Sequence, residues 1–249
     1  MPRKINASIE IETSFYSDLS RMNITVEEAL REFIDNSTSS FNDHRQELEV
    51  SEGYTCKVHI EWDDDSMIIT DNAYGMEVEE FKRALRLSSR AEFYSEKNRG
   101  QYGIGLKNAA ANIGRNYKIV STQLNSLNRY HAEMDLDDLE VSKRKEVEVL
   151  ISGSATEDHG TIITISKLLQ PFSAFNKVGR KADQLDKLLN RLGKIYSKDI
   201  KTKQLEIVIN NRKVEYVKPK WLQNIDTGSD YTEAVSGEFK FKDSIYEYG

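Results

Sequence analysis

Four short segments carry residue types that could do chemistry, and each admits a plainer structural explanation. In Glu32-Phe-Ile-Asp-Asn36 a carboxylate and an amide stand four apart, which places them on one face of a helix. The amide oxygen can ligate Mg²⁺ while the carboxylate, one turn away, orients or deprotonates a water. Two polar residues on a solvated face fit the same pattern. In Ile69-Thr-Asp71-Asn-Ala73-Tyr-Gly75-Met76 an aspartate follows an apolar strand, with a glycine four residues on. Such a carboxylate can point into a pocket floored by bare backbone and accept a hydrogen bond from an exocyclic amino group such as adenine's. A simple Asx turn is the competing explanation.

The run Gly100, Gln101, Tyr102, Gly103, Ile104, Gly105, Leu106, Lys107 places three glycines directly before a helix. Glycines there let the backbone approach closely and aim amides at an anion, helped by the helix N-terminus, and Lys107 adds a point charge. A flexible hinge has the same composition. The fourth segment, Gly160-Thr161-Ile-Ile-Thr164, is a strand whose first threonine could reach a pocket or could be ordinary β structure. The shared problem these segments solve is holding a nucleotide without a P-loop, since G-x-x-x-x-G-K-[ST] occurs nowhere in the chain.

The elements that must position these residues can be read from pattern. Thr25-Val-Glu-Glu28 is a capping box that opens a helix running to about Phe41, with Ala29, Leu30, Phe33 and Ile34 as its apolar stripe. Residues 42–54 are polar and are expected to form a loop. Strands follow at Cys56–Trp62 and Met67–Thr70, joined by an acidic turn. Helices are expected over Val78–Leu87, from Gly103–Gly105 to Gly114, and over about Lys181–Tyr196. Further strands are expected at Tyr117–Thr122, Arg129–Met134, Val147–Ile151 and Thr161–Ser166, and on both sides of an Asn210-Asn211 turn. The tally is α+β, helices on one face of a mostly antiparallel sheet.

Composition narrows the function classes. The chain has 249 residues and net charge −6, and no run is apolar enough for a membrane helix. A single cysteine, Cys56, excludes an internal disulfide and fits a reducing compartment, cytoplasmic or, in a eukaryote, nuclear. The four histidines have no metal-ligand spacing. Residues 1–100 carry 21 acids against 12 bases, whereas 167–220 carry 14 bases against 5 acids. A uniformly basic nucleic-acid binder is excluded, but a locally basic DNA-contacting region at 167–220 is not.

Taken in order and spacing, the four segments resemble the ATP-binding signature of the GHKL superfamily: gyrase B, the ninety-kilodalton heat-shock chaperones, sensor histidine kinases and MutL. The resemblance covers roughly residues 15–215 and is closest to the Microrchidia (MORC) and heat-shock branch, where the glycine motif reads G-Q-[YF]-G-x-G and, in MORC, continues L-K. It implies a Bergerat-fold sandwich of helices on a mostly antiparallel mixed sheet. It also implies an ATP-binding domain over 1–200, an ATP lid at about 88–100, and the start of a second, transducer-like α/β domain over 201–249, truncated at its end. A histidine kinase would need a preceding helical hairpin with a phosphoacceptor histidine, and only about 24 residues precede the first helix.

Residue by residue, the resemblance implies that Glu32 is the general base for hydrolysis and that Asn36 binds Mg²⁺. Asp71 would recognise the adenine amino group with Thr161 in support through water, and Gly75 and Met76 would form the adenine pocket. Gly100 to Gly105 would cradle the phosphates, with Lys107 nearby. Slow ATP hydrolysis, an ATP-dependent homodimer, and DNA or a client polypeptide as partner complete the expectation. The second motif departs from D-x-G-x-G by Ala73, which demands ordinary backbone angles at that position. A nucleotide-binding regulatory or chaperone-like module without significant turnover is the alternative.

Overall fold

The computed structural model describes residues 2–8, 24–53, 55–85, 105–155, 158–177, 183–218, 237–241 and 244–248. The first half contains β1 (Arg3–Ser8), α1 (Val26–Asp43), α2 (Arg45–Glu52), β2 (Cys56–Trp62), β3 (Ser66–Asp71), α3 (Val78–Leu85) and α4 (Gly105–Ile113). Then come β4 (Gly114–Thr122), β5 (Asn128–Asp135), α5 (Leu136–Ser142), β6 (Glu146–Gly153), β7 (Gly160–Leu168), α6 (Phe172–Phe175) and α7 (Gln184–Ile195). The described chain ends with α8 (Ser197–Lys201), β8 (Leu205–Ile209), β9 (Arg212–Lys213), β10 (Gly237–Phe241) and β11 (Ser244–Tyr248).

Strict alternation in β2 buries Cys56, Val58, Ile60 and Trp62 and exposes Lys57, His59 and Glu61. The same two-residue period runs through β3, β4 and β7, so one sheet face is a continuous apolar floor. Among the described residues nine strands form that sheet, in the order β1-β6-β5-β4-β7-β3-β2-β8-β9. Every neighbouring pair is antiparallel except β2 with β8. The other face carries charged pairs such as Lys118–Glu133 and Lys4–Glu148, as a solvated surface does.

Helix α1 lies on the apolar floor because its period matches. Ala29, Leu30, Phe33, Ile34, Ser37, Ser40 and Phe41 are buried, at spacings of one, three and four. Thr25 caps it as the sequence requires: Thr25 Oγ1 accepts from Glu28 N at 3.2 Å, and Glu28 Oε2 accepts from Thr25 N at 2.7 Å. Helix α4 packs against α1, and α3 touches both α4 and β1. The mixed α/β architecture with a large, mostly antiparallel sheet is the expected one.

Three details differ from the pattern reading. Residues 42–54 are not a loop, since α2 occupies Arg45–Glu52 and drops Leu48 fully into the core. Two apolar residues in eight, Leu48 and Val50, are too short a signal for periodicity. The edge strand β1 pairs with β6, although Arg-Lys-Ile-Asn-Ala-Ser has little apolar content to announce it. Helix α5 is nucleated by Asp135, whose carboxylate accepts from Asp137 N and Asp138 N. At the far edge β8 joins β2, so the main sheet continues past residue 200 to Lys213. Strands β10 and β11 pair with each other.

Candidate functional site

The site is built around the end of β3. Asp71 has its carboxylate held from three sides: Oδ1 accepts from Ala73 N and Thr161 N, both at 3.0 Å, and Oδ2 accepts from Ser37 Oγ at 2.8 Å. The Ala73 contact is an Asx-type turn, so the turn and a pocket-facing carboxylate coexist here. Ala73 is not among the residues with positive φ, as its methyl requires. Ser37 comes from α1, one residue after Asn36, and its hydroxyl also lies 3.0 Å from Phe33 O. Burial pushes the Asp71 carboxyl above the usual aspartate range, while the three hydrogen bonds and the nearby His159 oppose that shift.

Two glycines make the geometry possible. Gly75 has φ +79°, and a Cβ there would sit 1.9 Å from Thr122 O, so the loop after β3 lies flat against the end of β4. Gly160 has φ +99°, and a Cβ there would sit 2.2 Å from Asp71 O. That close approach lets the next amide, Thr161 N–H, reach the Asp71 carboxylate.

These residues line a narrow, half-open cleft, with Asn36 and Ser37 on the α1 side, Asp71, Gly75 and Met76 on the β3 side, and Thr161 on β7. Leu106 and Ile163 add apolar surface. Asn36 and Asp71, far apart in sequence, thus share one cavity. Glu32 stands one turn before Asn36, at the exposed edge of α1. Partial burial pushes its carboxyl above the ordinary glutamate range, and the negative charge of Asp35 adds to the push. Asp35 itself is turned away, accepting a 2.7 Å hydrogen bond from Tyr196 Oη that ties α1 to the end of α7. Gly105 opens α4 and Lys107 lies in its first turn. Gly100, Gln101, Tyr102, Gly103 and Ile104, with the expected lid at 88–100, lie outside the described residues, as does the side chain of Lys107.

Sequence reasoning misses three residues of this cleft's framework. Ser121 Oγ accepts from Met76 N at 3.0 Å. His159 Nδ1 lies 2.8 Å from Ala73 O, and since a carbonyl only accepts, Nδ1 carries the proton. Gly160 looks in the sequence like no more than the start of a strand, although a glycine directly before a β run can mark close backbone approach.

A family model described as histidine kinase-, DNA gyrase B- and HSP90-like ATPase matches residues 24–162. The chain belongs to that family. The matched span of this GHKL-type ATPase domain begins at the cap of α1 and ends just after Thr161, so it includes both walls of the cleft. Membership makes ATP the ligand class this domain is built for. A search of curated proteins found no match. No group of three or more potential metal-ligating His, Cys, Asp or Glu side chains occurs among the described residues. None of their helices is long and apolar enough to cross a membrane.

Proposed function

We propose that this chain binds Mg-ATP in the Asp71 cleft and hydrolyses it slowly. The observation that carries the reading is the carboxylate of Asp71: Oδ1 already accepts two amides, while Oδ2 accepts one hydroxyl and keeps capacity for another donor. The exocyclic amino group of adenine supplies that donor. Gly75 and Met76 form the floor under the base, and Thr161 flanks Asp71. The segment Gly100–Gly105 and the N-terminus of α4 meet the phosphates, where aligned amides favour an anion.

Asn36 suits a magnesium ligand. Asn36 lines the cleft and carries an amide oxygen, and Mg²⁺ is usually bound through only one or two protein oxygens. Held there by Asn36, the ion would neutralise phosphate charge. Glu32 then takes the proton from a water whose oxygen attacks the γ-phosphorus as the bond to the β-phosphate oxygen breaks. A carboxyl lifted above its ordinary range is the stronger base, which favours Glu32 in this role. Positioning and charge stabilisation supply the rest.

The test is ATP turnover and ATP affinity measured together for the parent chain and Glu32→Ala. Hydrolysis should fall while binding holds; parent-rate hydrolysis by a variant that binds normally would refute the base assignment. A binding module without turnover is the second reading, favoured by the position of Glu32 at the exposed helix edge. An undetectable parent rate alongside tight ATP binding would select it.

The MORC-like character, the ATP-gated dimer and the division into a nucleotide-binding unit followed by a transducer-like unit belong to the same proposal, and rest on the glycine motif. DNA is the substrate we favour over a client polypeptide, because of the basic 167–220 segment. Among the described residues of this segment, Lys167, Arg191, Arg212 and Lys213 pair with acids, while Lys177, Lys187, Lys194, Lys198 and Lys203 can meet phosphate. A steep loss of DNA affinity with salt would support that contact.

A further inference from the structure

Ser121 belongs to no motif, yet it is 1% exposed and its one hydroxyl serves three groups around the cleft. Its Oγ accepts the Met76 N–H at 3.0 Å, donates to Gly160 O at 3.2 Å, and lies 3.0 Å from Thr161 Oγ1. Met76 comes from the loop after β3, and Gly160 and Thr161 from the start of β7. A serine hydroxyl has one proton and two acceptor positions, so these partners use all of its capacity. The same loop is fastened to the end of β4 by Leu124 N–H donating to Tyr74 O at 2.9 Å, and by Gly75 lying against the Thr122 carbonyl.

We propose that Ser121 is a positioning residue for the nucleobase: it sets the spacing between Met76 and Thr161 and orients the Thr161 hydroxyl. This inference rests on the nucleotide reading above. Thr161 is coupled to Asp71 through its amide, so a change at Ser121 moves the base-recognising groups relative to one another. A Met76 amide deprived of its acceptor must shift to find another, because an unsatisfied buried donor is costly. Among the described residues Ser121 makes no hydrogen bond to α4, so the test separates the base end of the site from the phosphate end.

The test uses the 249-residue chain and three probes: ATP, adenosine and inorganic tripolyphosphate, each measured by calorimetry. Ser121→Ala should weaken ATP and adenosine by the same factor, about 5- to 30-fold, and leave tripolyphosphate unchanged. Ser121→Thr and Ser121→Val form a matched pair of nearly equal shape, with and without the hydroxyl, so packing effects cancel between them. The threonine variant should bind adenosine more tightly than the valine variant by a similar factor. A residue that only stabilises the fold would lower the melting temperature without selecting among the three probes. Adenosine binding equal to the parent in both hydroxyl-free variants, or equal weakening of all three probes, overturns the inference. Failure of the parent itself to bind ATP overturns the nucleotide reading and this inference with it, a result distinct from normal binding by both parent and variant.

Discussion

Replacing Asp71 by asparagine is the sharpest perturbation, because the hydrogen bonds around this side chain imply that the variant should fold. The amide oxygen of the introduced side chain can keep the two backbone amides of Ala73 and Thr161. Its amide nitrogen can donate to Ser37 Oγ, whose own proton then serves Phe33 O. Every buried group stays satisfied, and a buried charge disappears. The amide nevertheless presents an N–H where adenine offers its own amino N–H, so a charge-assisted hydrogen bond is replaced by two opposed donors. Hydrogen bonds to charged groups contribute about 1.5–3 kcal/mol, which corresponds to roughly 10- to 150-fold weaker ATP binding. Inosine triphosphate, with an oxygen in place of that amino group, should gain on ATP in the variant. The pH dependence has a definite sign. Because the folded pKa of Asp71 is raised, the folded chain holds the proton in a window where the unfolded chain has lost it. Stability contributed by this group is therefore present below the ordinary aspartate pKa and is lost as pH rises through the raised value. Asp71→Asn should flatten that slope. ATP affinity should fall as pH drops through the same raised value, since the acceptor is the ionised form. Calorimetric titration with both nucleotides, with denaturation followed against pH, checks all of this. Unchanged ATP affinity in a folded variant would refute the assignment of Oδ2 as the purine acceptor.

Other consequences are simpler. Hydrolysis needs ionised Glu32, so the turnover rate at saturating ATP should decline as pH falls through a pKa above the ordinary glutamate value, and Glu32→Gln should lower it by about 10²- to 10⁴-fold where Glu32 is ionised, a gap that closes as pH falls. Gly75→Ala forces a methyl onto the Thr122 carbonyl at a positive φ, and chemical denaturation should register a loss of about 2–4 kcal/mol. Tyr196→Phe removes the hydrogen bond to Asp35 and should cost about 1 kcal/mol of stability while ATP affinity holds, because Asp35 faces α7 and not the cleft.

Much of the fold was legible because local rules and tertiary structure agree. The capping box at Thr25 and the alternation in Cys56–Trp62 appear as written. At the Asn210-Asn211 turn both residues take positive φ, as asparagine tolerates, and the turn closes β8 onto β9. Helix α2 was illegible because Leu48 and Val50 are its only apolar residues, too few for a periodic pattern, and β1 because an edge strand is held by backbone bonds that leave little trace in side-chain pattern. In the candidate site, Asn36 and Asp71 stood out because a polar residue at a fixed offset within or after an apolar run is conspicuous. Ser121 and His159 did not, since a serine inside a strand and a histidine before a glycine are ordinary.

What the sequence determined by itself is which elements form and which residue types each one presents: a capped amphipathic helix bearing Glu32 and Asn36, a strand ending in Asp71, and glycines at the turns. What only the tertiary structure decided is which of these meet. Ser37 reaches Asp71 across 34 residues, Met76 reaches Ser121 across 45, and Thr161 reaches Asp71 across 90. The physical reason is register. Antiparallel pairing of β7 with both β3 and β4 sets Ile162 opposite Thr70 and Thr161 opposite Ser121. A shift of one residue in either pairing would turn these groups to the solvated face of the sheet.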